Sequence, residues 1–168
     1  MRRISRFPNP AAVKATKEQP NWGIQSLYND RQLIRKKKLT KFFVPYDSVQ
    51  PDDSWRLYIF NSDISRDDIY KAETPSILIG REDFCDIKLI DKKVGRQHCV
   101  IQFRYTRLGE DQKPRIVPYI FDISSRNGTY INGSKIPSMC FVQLQHKDTI
   151  TFGNAVDSIV LMKIQTEN

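Results

Sequence analysis

The sequence is poor in the residues that build metal and redox sites. It has three cysteines, Cys85, Cys99 and Cys140, and two histidines, His98 and His146. The cysteines are odd in number, widely spaced and set among apolar residues. Neither a disulfide framework nor a CxxC zinc site is supported. They read as buried free thiols in a reducing compartment, cytosol or nucleus, and no metal or other cofactor is expected. No apolar run approaches the ~20 residues of a membrane-spanning helix. The opening Met1-Arg2-Arg3-Ile4-Ser5-Arg6 is followed by Phe7-Pro8 without an apolar h-region, so no secretory signal is expected. Catalytic signatures are missing too: there is no GxGxxG, P-loop, GxSxG or HExxH. Cys99 directly follows His98, but neighbours on a strand point to opposite faces and do not meet. An enzyme and a small-molecule substrate are therefore not expected.

What is present is unevenly distributed. The 168 residues carry a net charge of +8. Residues 1–50 hold 11 Lys+Arg against 3 Asp+Glu, whereas residues 51–168 hold 16 of each. The whole excess sits in the first third, and any argument from bulk positive charge applies only there. Residues 1–18 read as a disordered basic tail. Residues 19–50 scatter Trp22, Leu27, Leu33, Ile34, Phe42, Phe43 and Tyr46 among lysines. That composition suggests an arm that docks onto a partner, with a short helix expected from near Ser26 through Leu27, Ile34 and the basic run. Residues 51–168 form a third region. From Trp55 onward, short β-rich runs are separated by turn residues at Gly80, Gly95, Asn127-Gly128, Asn132-Gly133 and Gly153. Strands are expected at 55–60, 77–79, 87–90, 98–105, 117–123, 129–131, 141–144, 149–152 and 158–164. Many short strands without a convincing helix predict an all-β sandwich.

The chemistry-bearing residues gather at strand ends. Gly80-Arg81 closes one strand, Gly95-Arg96-Gln97-His98 opens another, and Ser125-Arg126-Asn127-Gly128-Thr129 joins two more. Loops of a sandwich collect at its two ends. These three would bring together guanidinium groups, hydroxyls, an amide and backbone N–H groups, the donors a phosphate dianion recruits.

These pieces resemble the forkhead-associated (FHA) domain, a reader of phosphothreonine peptides. Its signature is Gly-Arg, then Ser-x-x-His, then Ser-x-Asn-Gly-Thr followed by Asn-Gly. Order and spacing fit over about residues 54–165. Gln19-Pro20-Asn21-Trp22-Gly23, Trp55-Arg56-Leu57-Tyr58 and Gln97-His98-Cys99-Val100 are further similar to one group within it. That group comprises the Smad nuclear-interacting and pre-mRNA leakage proteins of the pre-mRNA retention and splicing (RES) complex of the spliceosome. The resemblance implies an FHA-type sandwich of two twisted, mostly antiparallel sheets behind a largely extended basic arm.

It also implies roles. Arg81 would bind phosphate, and Arg96, Ser125, Arg126 and Asn127 would contact phosphate or peptide. Gly80, His98, Gly128, Thr129 and Asn132 would be scaffold, with the His98 ring tying the loops together. Gly95 stands where the family has its phosphate-binding serine. A hydroxyl bond to a charged group is worth roughly 1.5–3 kcal/mol, so its loss weakens binding about ten- to a hundredfold. The Gly95 N–H is expected to remain a donor, with Arg96 supplying charge. The alternative is a silent pocket in a domain used for docking. Pro20, Trp22 and Leu27 would anchor the arm on an RRM-containing RES subunit, near a third RES subunit and other spliceosomal proteins. Arg35, Lys36, Lys37 and Lys38 read as a nuclear-import signal, a partner contact or a non-specific RNA contact. The location expected is nuclear.

Overall fold

The computed structural model describes residues 31–52, 54–61, 68–107 and 109–165. Among them there are thirteen strands and no helix. A hairpin comes first: β1 (Gln32–Arg35) and β2 (Lys38–Phe43). One sheet has the order β10-β9-β12-β13-β3-β4. Its strands are β3 (Trp55–Phe60), β4 (Asp68–Lys71), β9 (Thr129–Ile131), β10 (Ser134–Lys135), β12 (Thr149–Phe152) and β13 (Ser158–Lys163). The other has the order β11-β8-β7-β5-β6. It is built from β5 (Ser76–Gly80), β6 (Ile87–Lys88), β7 (Cys99–Arg107), β8 (Pro114–Asp122) and β11 (Phe141–Gln143). Every pairing is antiparallel except β5 with β6. This is the expected FHA-type sandwich of two mostly antiparallel sheets.

Strand β3 shows the code of a half-buried sheet. Trp55, Leu57 and Ile59 are buried while Arg56, Tyr58 and Phe60 face outward, the period-2 alternation of an element with one wet face. The buried set joins Ile77, Ile79, Ile101, Phe103, Ile120, Ile150, Phe152, Ile159 and Leu161 in one core fed by both sheets. Strands β5 and β7 break the alternation. All of Ser76–Gly80 is buried, and so are Cys99 to Arg104. Continuous burial requires cover on both faces, and the outer cover is residues 31–50.

This corrects the reading of residues 19–50 as arm or linker throughout. Leu33 and Phe42 of the hairpin are buried with Leu78, Phe84, Cys85, Val100 and Ile123 in a second apolar cluster. Phe42 meets Phe121 and Phe141 edge-on at centroid distances of 5.3 and 6.1 Å. Beyond the hairpin, Asp47 grips Arg104 through paired hydrogen bonds at 2.8 Å, and the Val49 N–H donates to the Phe103 carbonyl. The expected helix through Ile34 and the basic run is likewise overturned. Lys36 and Lys37 have φ of 47° and 65°, the left-handed pair of a tight two-residue hairpin turn. Alternating burial of Thr40 and Phe42 against Leu39 and Lys41 then favours a strand over a helix. The earlier part of the proposed arm, with Pro20, Trp22 and Leu27, lies outside the described residues.

Candidate functional site

Three loops meet at one end of the sandwich, held mainly by backbone. The Arg81 N–H donates to the Gly95 carbonyl and the Glu82 N–H to the Arg96 carbonyl, at 3.0 and 3.1 Å. The contact requires a glycine at 80: a Cβ there would stand 2.2 Å from the Arg96 carbonyl oxygen. Gly80 is thus the residue that lets the 94–96 loop lie against β5.

His98 ties this pair of loops to the third. It is fully buried. Its Nδ1 accepts the Gly95 N–H at 2.8 Å, and its Nε2 lies 3.1 Å from the Gly128 carbonyl oxygen. A carbonyl only accepts, so Nε2 carries the proton and the neutral ring has a fixed tautomer. Burial lowers its pKa, opposed by the charge of Asp122 and the bond to Gly128. The same geometry corrects one expectation: the Gly95 N–H is occupied by His98 and is not available to a phosphate.

Asp122 was not singled out from the sequence, and it is the hub of the third loop. The buried carboxylate accepts the Ser125 N–H and the hydroxyls of Ser125, Thr129 and Ser138 at 2.9, 2.5, 2.5 and 2.8 Å. Burial would raise its pKa, but these hydrogen bonds outweigh it and hold the carboxyl below its ordinary value. The signal in the sequence was faint: an Asx turn bonds the backbone two residues on, whereas Asp122 reaches the Ser125 N–H three residues on. Ser125 therefore spends its only hydroxyl proton on Asp122 and is scaffold in this arrangement, not a phosphate donor.

What remains outward is mostly guanidinium. Arg81 is half-buried, its Nε bonded to the Val94 carbonyl at 2.6 Å. Arg96 is 76% exposed and sits 3.8 Å from Glu82. Arg126 is exposed. The Asn127 amide donates to the Lys93 carbonyl at 2.7 Å, which fixes the side chain across the two recognition loops. Behind them Gly128, with φ of 81°, turns the chain into β9. Asn132 holds Asp148 and the Thr149 N–H at 2.8 and 2.9 Å and is scaffold. The arrangement offers three arginines, one oriented amide and no side-chain hydroxyl at position 95. It suits binding of an anion.

Cys85 and Cys99 are buried, while Cys140 is only partly so, a correction to three buried thiols. Burial pushes the Cys85 thiol up to about 11 and Cys99 well above its usual value. Among the described residues no cluster of His, Cys, Asp or Glu could hold a metal, and no helix is long and apolar enough to cross a membrane.

The basic run is divided by the fold. Arg35 forms a paired contact with Asp86 at 2.7 Å and also reaches the Ser76 carbonyl. Lys36 bonds the Asp83 carbonyl, and Lys38 lies over the Phe84 ring at 5.3 Å. Arg35 is a structural residue of the hairpin rather than part of a free cationic stretch.

Comparison with known proteins agrees with the fold. Residues 77–153 match the FHA domain family. Smad nuclear interacting protein 1 of Rattus norvegicus is 31% identical over 165 residues, covering 93% of this chain and 42% of the relative. Pre-mRNA leakage protein 1 of Saccharomyces cerevisiae is 35% identical over 66 residues, 39% of this chain and 29% of the relative. A probable serine/threonine-protein kinase of Dictyostelium discoideum is 35% identical over 127 residues, 73% of this chain but 8% of the kinase. The yeast Pml1 splicing factor, solved with its integration into the RES complex, superposes with a TM-score of 0.66 at 24% identity, over 74% of this chain and 98% of Pml1. The chain spans half or less of the length of the curated relatives it matches. It contains an FHA domain and belongs with the FHA-domain proteins, and its homologues include Smad nuclear-interacting protein 1 and pre-mRNA leakage protein 1.

Proposed function

We propose that this protein is a non-enzymatic, nuclear subunit of a RES-type pre-mRNA retention and splicing complex, whose FHA loops take an anionic peptide. The observation that carries the peptide reading is the loop end itself. Arg81, Arg96, Arg126 and Asn127 come from three loops that His98 and Asp122 fix in place. Guanidinium forks suit phosphate or carboxylate better than any neutral ligand. In this reading the residues before 31 bind an RRM-containing subunit, with Pro20, Trp22 and Leu27 as anchors and a third RES subunit nearby. The supporting fact is that a match covering 93% of the chain extends into those residues.

Gly95 favours a second reading, an FHA fold whose phosphate pocket is silent. One titration separates the two. Paired phosphothreonine and threonine peptides are titrated into the full chain, with Arg81→Ala as control. Preference for the phosphorylated peptide, lost in Arg81→Ala, supports the first reading; equal binding establishes the second. Gly95→Ser sharpens the result. A Cβ at 95 has ordinary clearance, 3.4 Å from His98 Nδ1, so the serine fits and restores the missing donor. Affinity for the phosphorylated peptide should rise about tenfold. For the arm, calorimetry of the chain with the RRM subunit tests the anchor: unchanged affinity in Trp22→Ala removes it.

A further inference from the structure

Residues 31–50 carry six cations and one anion, yet their outer surface is not simply polar. Ile34 and Leu39 face each other across the hairpin and are 56% and 62% exposed. Tyr46, 72% exposed, lies beside them with the Arg31 guanidinium over its ring at 5.9 Å. A shallow open groove of about 420 Å³ adjoins Ile34, lined by residues 31–34 of β1 and its approach and by Val44, Pro45 and Tyr46. Lys37 and Lys41, on the turn and on β2, are exposed, and Lys36 reaches the Asp83 carbonyl.

The platform is rigid. Leu33 and Phe42 are buried beneath it, Arg35 is paired with Asp86, and the Lys41 N–H is held by Gln97 Oε1 at 2.8 Å. The Lys36-Lys37 turn adds a second observation. Both lysines occupy left-handed backbone, where Asn and Gly are favoured and lysine costs about 1 kcal/mol each. Conformational cost at an exposed turn is a pointer to a retained role.

We propose that the outer face of this hairpin is a docking surface for a partner protein segment that combines acidic and large aliphatic side chains. Charge selects the acidic residues, and the Ile34–Leu39 pair with the adjoining groove takes the aliphatic ones. A face prepaid in conformational entropy binds such a segment at little ordering cost on its own side. The aliphatic pair favours a protein segment, while the exposed rings of Phe43 and Tyr46 make RNA, which stacks bases on aromatic planes, the competing occupant that the titration distinguishes. The proposal does not depend on the loop-end site, which is on other elements.

The test is a ¹⁵N–¹H titration of the full chain with a short glutamate-rich peptide carrying three leucines, and with the same peptide carrying serines. The leucine peptide should shift the amides of residues 33–46 and bind about fivefold more tightly than the serine peptide, the equivalent of about 1 kcal/mol. Leu39→Ser should erase that preference, and Lys37→Glu should weaken both peptides about fivefold. Both side chains are exposed, and the spectra report directly that each variant is folded. Equal binding of the two peptides overturns the proposal, as do shifts confined to residues before 31 or to the 94–96 loop. A short oligouridine that shifts the hairpin amides more strongly and is indifferent to Leu39→Ser overturns it in favour of RNA.

Discussion

Two regions of this molecule are held in place by opposite means. The loop end is organised by polar atoms: a buried carboxylate with four donors and a buried imidazole bridging two loops. The hairpin is organised by an apolar floor, Leu33 and Phe42 on Leu78, Val100 and Phe121. The first method positions side chains within hydrogen-bond tolerance but fails as a unit when a member is lost. The second tolerates local change and yields in proportion to buried volume. Recognition that depends on a fixed fork belongs on the first, and a broad adhesive face belongs on the second.

The largest effect should come from the hub. Asp122→Ala orphans the Ser125 N–H and three hydroxyls. At about 1–3 kcal/mol for each unsatisfied buried donor, partly relieved by water, the loss should reach about 4 kcal/mol. Urea denaturation gives the value, and a loss under about 1 kcal/mol would mean that the loops are held without the carboxylate. Phe42→Ala should follow, at about 3 kcal/mol for a buried phenyl group, but with a different signature. Because the hairpin is an added layer, hydrogen exchange should accelerate at residues 31–50 well before the two-sheet core opens. Uniform acceleration would show that hairpin and sandwich are one cooperative unit.

The two regions also differed in how far they could be read from the residues. The loop end was largely legible, because Gly80-Arg81, His98 and Asn127-Gly128 are spaced motifs whose local geometry is dictated by turns. What the motifs could not disclose was where protons go. Ser125 stands in a recognition motif, and only the position of Asp122 shows that its hydroxyl is spent. The Gly95 N–H is committed to His98 in the same way. The hairpin was hidden for another reason. Ile34, the lysines and Leu39 fit a helical period as well as a strand, and a Lys-Lys turn lacks the Asn-Gly mark that betrays tight hairpins. The usable clue was in β5 and β7, where Ile77-Leu78-Ile79 and Val100-Ile101 are too apolar for strands with one wet face. A second cover was implied there, and residues 31–50 supply it.

A third prediction concerns pH and should touch the loop end alone. Burial lowers the pKa of His98 in the folded protein, so the unfolded chain binds its proton first on acidification. Stability is then complete above about 6.5, the ordinary value. It falls as pH drops through and below it, by at most about 1.4 kcal/mol per unit for this one group. His98→Gln should lower stability at pH 7.5 and flatten the slope between pH 7 and 5.5. Retention of the slope would assign it to another group. The Asp122 carboxyl, also held low, contributes in the same direction only when pH falls below about 4.

The smallest effect is the one that best distinguishes strain from function at the hairpin. Lys37 sits at φ of 65° in a turn whose outer side is open. Glycine adopts that backbone without the Cβ penalty but gains freedom in the unfolded chain, so Lys37→Gly should stabilise by a net ~0.5 kcal/mol. That corresponds to a rise of roughly 1–2 °C in melting temperature for a domain of this size. If the lysine is kept for docking, the same substitution should also reduce affinity for the leucine–glutamate peptide about threefold through loss of the ammonium group. The turn would then trade stability for contact. A rise in melting temperature with unchanged peptide affinity would leave the strain without a purpose. No rise at all would mean that Lys37 is content in left-handed backbone, and that the turn stores no strain for docking to explain.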